Sequence, residues 1–180
     1  DATALLHEGR AWTYAEINGW ANRMAHRLIA QGVTPDDRVA LCARRSPAMV
    51  AGLLGILKAG GAYVPLEPSY PQERLAYMLD DSAPVALLVQ SELQAMMPDS
   101  GAFAVPVLVI DEARTADTPD VDPVVAGLTS SNAAYVIIKR PYAPAAERLK
   151  SLIAREQKLP TVLAEPELGG SQQMAWLARL

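Results

Sequence analysis

Residues 57–75 read LKAGGAYVPLEPSYPQERL, and this stretch decides the fold. Its first residues end an apolar helical segment, which Gly60-Gly61 stops. Ala62-Tyr-Val-Pro-Leu66 follows as a strand signal, and Pro65, Pro68 and Pro71 stiffen the loop beyond it. Pro71 then opens a second helix that runs through Leu79. Helix, glycine stop, apolar strand, proline loop and helix make one crossover unit of a parallel sheet, because a tight turn cannot join parallel neighbours.

The same rhythm extends in both directions. Upstream, residues 39–43 read as a buried strand, and Ser46-Pro47 is an N-cap with proline at the first position of a helix to Lys58. Downstream, residues 85–89 form a third strand, and Ser91-Glu-Leu-Gln94 matches a capping box. Residues 105–110 and 133–138 complete the strand series, while residues 111–131, rich in Asp, Thr, Ser and Pro, read as a long surface loop. This alternation predicts an α/β fold with a doubly wound, mostly parallel sheet and helices on both faces. Ahead of it, residues 4–7 and 10–13 flank Glu8-Gly9 as a short β-hairpin. Thr13 and Glu16 have the spacing of another capping box. Ile17, Trp20, Ala21, Met24, Leu28 and Ile29 then form one helical stripe, which Gly32 ends.

Bulk properties narrow the function classes. A chain of 180 residues with 51% apolar and 20% charged residues is a single globular domain by length and composition. The net charge of −4 argues against nucleic acid, which requires a clustered positive field. The apolar run at residues 49–57 is too short for a membrane span, which takes about 20 residues. No signal-peptide pattern opens the chain, which begins at Asp1 without a methionine and is expected to be either a trimmed chain or an internal excerpt. The single cysteine, Cys42, lies in an apolar run and reads as a buried structural thiol, which fits a reducing, cytoplasmic setting.

Charge divides the chain. Residues 1–138 carry 9 Lys/Arg and 16 Asp/Glu, whereas residues 139–180 carry 7 and 4. The first part reads as the α/β subdomain. The second reads as a helix (144–158), a short strand (161–164) and a helix (171–180) packing on the same domain.

Three stretches together resemble one family. Trp12-Thr-Tyr-Ala-Glu-Ile17 is similar to the first core motif of the amino-acid adenylation domains of nonribosomal peptide synthetases, adenylate-forming enzymes. Residues 57–75 are very similar to the second, and the spacing to residues 76–84 also fits. Ser131-Asn-Ala-Ala-Tyr-Val-Ile137 looks like the strand that introduces the third. The resemblance covers about three quarters of the chain and only the opening portion of such a domain, and residues 139–180 read as a tail outside the family.

The resemblance implies two reactions. An amino-acid carboxylate attacks the α-phosphate of ATP-Mg, releasing pyrophosphate, and the acyl-adenylate then passes to the thiol of a carrier protein. The phosphates need backbone N–H donors on a flexible Ser/Thr/Gly loop, because bulky side chains block close approach. In the family that loop begins directly after the strand at 133–138. Here Ile138-Lys-Arg-Pro-Tyr142 stands in its place, and no glycine occurs between Gly127 and Gly169. The later nucleotide motif, a recognisable ribose-holding aspartate and the lid with its catalytic lysine do not occur either. No catalytic, cofactor-binding or metal-binding residue is therefore carried over, and the chain alone is expected to need no cofactor and to be catalytically silent.

Each remaining candidate has a plainer structural explanation. Lys139-Arg140 at the strand end suits phosphate, but Pro141 removes a donor. Gly169-Gly170-Ser171 before a helix is an alternative anion cradle or an ordinary N-capped loop. His7 and His26 lack metal-ligand spacing, and Asp36-Asp37, Asp80-Asp81 and Asp111-Glu112 read as loop and cap charges. Trp12, Trp20 and Trp176 read as core or interface anchors. Two other functions stay open at this point: a scaffold module that docks other synthetase domains or self-associates, and a small ester hydrolase with its site in the tail. The hydrolase lacks a Gly-x-Ser-x-Gly elbow.

Overall fold

The computed structural model describes residues 2–97, 105–111 and 118–138. The elements expected within residues 139–180 lie outside the described residues. Strands β1 (Thr3–His7) and β2 (Arg10–Thr13) form the antiparallel hairpin, with Leu6 opposite Ala11 and His7 opposite Arg10. Helix α1 (Tyr14–Ala30) starts at the expected capping box: Thr13 Oγ1 accepts the Glu16 N–H at 3.1 Å and Glu16 Oε2 accepts the Thr13 N–H at 2.7 Å. Trp12 and Trp20 seat the hairpin on α1, their ring centroids 5.6 Å apart.

The sheet contains β3 (Arg38–Cys42), β4 (Ala62–Leu66), β5 (Ala86–Val89) and β6 (Val107–Val109), all parallel, in the order β4-β3-β5-β6. Helix α2 (Pro47–Lys58) joins β3 to β4, and α3 (Gln72–Ser82) joins β4 to β5. Successive strand residues point to opposite faces, so each all-apolar strand feeds two cores. Val39, Leu41 and Leu88 meet Trp20, Met24 and Leu28 of α1 and Ile56 of α2 on one face. Ala40, Cys42, Leu87 and Val89 meet Leu75, Met78 and Leu79 of α3 on the other. The continuous apolar runs are thus explained by helices on both sides.

Helix α2 ends as residues 57–75 require. Gly60 has φ +89°, its N–H donates to the Leu57 carbonyl, and the Gly61 N–H reaches back to the Ile56 carbonyl at 3.0 Å. These two bonds occupy carbonyls that the helix end would leave unpaired, and a residue with a Cβ is strained at that φ. Gly19 in α1 is different: a Cβ there would meet its nearest neighbours at 3.7 Å, an ordinary separation. Gly19→Ala is expected to raise stability by about 0.5–1 kcal/mol in urea denaturation, since it removes unfolded-state freedom without a clash.

Two expected elements differ. The capping box at Ser91-Glu-Leu-Gln94 does not form; residues Ser91–Met96 make a 3₁₀ turn with no side-chain cap. A distant carboxylate takes the donor instead, as the Ser91 N–H donates to Asp111 Oδ2 at 2.7 Å. The strand expected at 133–138 is reduced to one parallel bridge, Tyr63↔Tyr135, beside β4. The Tyr63 N–H donates to the Ala134 carbonyl and the Val136 N–H to the Tyr63 carbonyl. The next rung would need an N–H from residue 65, and Pro65 has none.

Candidate functional site

In sheets of this topology ligands sit beyond the carboxyl ends of the strands, where the chain reverses direction across the sheet. Here the chain steps from β3 outward to β4 and then returns to β5, so that point lies between β3 and β5. Gln90, directly after β5 and buried, fills it. Its Oε1 accepts the Arg44 N–H at 2.5 Å, its Nε2 donates to Ser46 Oγ at 3.1 Å, and its own N–H donates to the Cys42 carbonyl. Ser46 Oγ also accepts the Met49 N–H, so the start of α2 is closed by its own side chain and by Gln90. Sequence reasoning passed over Gln90, although a polar residue directly after an all-apolar strand was its signal.

Beside this plug, on the β4 side, lies a cavity of about 650 Å³ between the strand ends and α3. Leu41, Met49 and Leu53 give it apolar walls, while its charged lining is mixed, with Arg45, Arg74 and Arg44, the last paired with Glu92 at 3.3 Å, alongside Glu67. Ile137 and Ile138 complete the wall, so the end of the bridged segment 133–138 borders the cavity.

That strand is held at its start. Asp36 has φ +70° in the loop before β3, and its two carboxylate oxygens each accept one hydrogen bond. Oδ1 accepts the Ala133 N–H and Oδ2 accepts Asn132 Nδ2, both at 2.7 Å. The Ala133 N–H and then the Asn132 amide hold this carboxyl below its ordinary range. Further along, the Tyr63 and Tyr135 rings stack with centroids 5.7 Å apart.

The other candidates are structural in their surroundings. Asp37 Oδ2 accepts the Thr34 N–H and hydroxyl, both at 2.8 Å. Asp80 and Asp81 end α3 at the surface, and Asp111 receives Ser91. His7 lies beside Glu8, and His26 Nε2 meets the Val121 carbonyl oxygen at 2.9 Å. Burial, and then the Glu67 charge, push the Cys42 thiol up to about 11. The thiol therefore stays protonated and unreactive near neutral pH. Among the described residues no three His, Cys, Asp or Glu side chains converge, and no helix is long and apolar enough to cross a membrane. Lys139, Arg140, Glu112, Trp176 and Gly169-Gly170-Ser171 lie outside the described residues.

The site is thus a framework for a segment more than a set of reacting groups, and comparison with known proteins assigns that framework. The family described as AMP-binding enzyme matches residues 1–162. The chain belongs to that family. A linear gramicidin synthase of Brevibacillus parabrevis is 47% identical over 137 residues, which is 76% of this chain and 3% of that protein. A crystal structure of the four-domain nonribosomal peptide synthetase AB3403 in its holo form, bound to AMP and glycine, matches with 38% identity and a TM-score of 0.55. It covers 63% of this chain and 8% of that one. A crystal structure of the nonribosomal peptide synthetase FmoA3 matches with 26% identity and a TM-score of 0.71, covering 86% and 17%. This AMP-binding family chain is therefore the N-terminal portion of an adenylation domain, spanning a small fraction of its relatives' length. The family match extends past Ile138 to residue 162, into the segment whose charge differs from the rest.

Proposed function

We propose that this chain supplies the framework on which an amino-acid-activating domain mounts its nucleotide-phosphate loop, and that it forms no aminoacyl adenylate by itself. The observation that carries this reading is the segment at 133–138. It is tied to Asp36 at its start, bridged to Tyr63 in its middle, and borders the cavity at the carboxyl ends of the strands. A loop continuing from there would lie where such sheets place ligands.

In the reaction of such a domain, a carboxylate oxygen of the amino acid bonds to the α-phosphorus of ATP and the bond to pyrophosphate breaks. That step needs N–H donors aimed at the phosphates, preorganised before charge develops. Ile138-Lys139-Arg140-Pro141 offers rigidity and one donor fewer where flexibility is needed. Other synthetase domains are the partners this reading implies, because the relatives are far longer than the chain and AB3403 has four domains.

The test is amino-acid-dependent exchange of labelled pyrophosphate into ATP by the 180-residue chain. No exchange above the protein-free rate is expected with any of the common amino acids, while circular dichroism shows a folded α/β protein. Exchange with a single amino acid would overturn the proposed inactivity.

A further inference from the structure

The loop Thr34-Pro-Asp-Asp37 joins three parts of the molecule that are far apart in sequence. The Asp36 N–H donates to the Gly60 carbonyl, and the Ala62 N–H, at the start of β4, donates to the Asp37 carbonyl at 2.7 Å. The Asp36 side chain adds the third part, reaching Asn132 and Ala133. The partner turn is itself ordered for this bond. Asn132 Oδ1 accepts the Thr129 N–H at 2.7 Å and the Thr129 hydroxyl at 3.0 Å, which leaves Nδ2 aimed at the aspartate.

Backbone conformation sharpens the point. At φ +70° a glycine would be less strained than any residue with a side chain. If Asp36 served only to turn the chain into β3, glycine would serve better. Aspartate tolerates this conformation better than most side-chain residues, and what it adds over glycine is the two charge-assisted bonds. The next hydrogen bond along the segment is Tyr63 N–H to Ala134, so the carboxylate grips the residue immediately before the bridge. After it come one backbone bridge, the Tyr63–Tyr135 stack and the packing of Ile138, all of which depend on the register that the carboxylate sets. A slip of one residue would exchange which side chains face the core.

We propose that Asp36 is a register-setting latch: by holding Ala133 and Asn132 it positions segment 133–138, the segment after which the family's phosphate loop would begin. Its importance to catalysis rests on the function proposed above. It is a positioning residue and touches no reacting atom.

Amide hydrogen exchange of the whole chain, followed by NMR without ATP or amino acid, tests the latch. Asp36→Gly relieves the backbone and removes both acceptors. It is expected to lower protection at Ala133, Tyr63 and Val136 by about tenfold or more, while Ala40 and Leu88 in the central strands are unchanged. Asp36→Asn keeps one acceptor for the Ala133 N–H and is expected to restore part of the protection. Protection at Tyr63 and Val136 within about twofold of the native chain in Asp36→Gly would overturn the proposal. Should that variant lose protection at Leu88 as well, Asn132→Ala is read in its place. It removes the bond to Asp36 Oδ2 and the two that Asn132 accepts from Thr129, leaving Asp36 Oδ1 on the Ala133 N–H, and an unchanged Val136 would count against the latch. Because no nucleotide is present, this result stands apart from pyrophosphate exchange: an active chain would overturn the proposed inactivity and leave the latch intact.

Discussion

Gly55→Val is expected to destabilise the domain by about 3 kcal/mol, at the upper end of the cost of overpacking a core. Gly55 lies where α1 and α2 press together, and a Cβ there would stand 2.7 Å from Met24 Cβ and 3.1 Å from the Ala21 carbonyl oxygen. Neither obstacle is the tip of a flexible side chain, so rotamer changes cannot relieve the overlap. The helices must separate, and Met24 and Ile56, both fully buried, would lose packing together. Valine's better helix propensity offsets only a few tenths of a kcal/mol. Urea denaturation should show a lower midpoint with an unchanged slope. A midpoint equal to the native one would mean that the two helices are not in close contact.

Trp20→Ala is expected to cost about 3–5 kcal/mol, as large-to-small changes of buried aromatics do. The residue is 5% exposed, its ring lies tilted against Trp12, and its Nε1–H donates to the Ile110 carbonyl at 2.9 Å. One side chain thus ties the hairpin, α1 and the end of β6 together. Trp20→Phe separates the contributions. It keeps most of the apolar surface and loses the hydrogen bond, so about 1–2 kcal/mol is expected. The order Ala worse than Phe worse than native should appear in thermal and urea unfolding alike. A loss below about 1 kcal/mol for Trp20→Ala would place the tryptophan pair outside the stability core.

Which features the sequence made legible follows from the range of their causes. The Thr13 capping box, the Ser46 cap and the Gly60 stop depend on residues within one helical turn, and all three form as expected. The all-apolar strands announced a sheet covered on both faces because burial on both sides removes any polar alternation. The failures have distant causes. Ser91 has the right neighbours for a cap, but Asp111 outcompetes them from another strand end. The strand at 133–138 has ample β-branched character, yet its neighbour carries Pro65 where a donor was required. The site was least legible of all. Asp36 and Ala133 are separated by 97 positions, and no local pattern marks an aspartate at positive φ as an anchor. Gln90 was hidden because its partners, Arg44 and Ser46, meet it only once β3 and β5 are adjacent.

Pro65 also governs how a disturbance travels through the molecule. In an unbroken ladder, pulling on residue 138 would strain each rung in turn back to the centre of the sheet. Here the described rungs end at the Val136 N–H, so residues 137 and 138 can bend without breaking a bond to β4. Beyond the bridge the segment is held to the domain by side-chain packing, with Ile138 against the core, and the backbone anchor at Asp36 lies on the hydrogen-bonded side of that break.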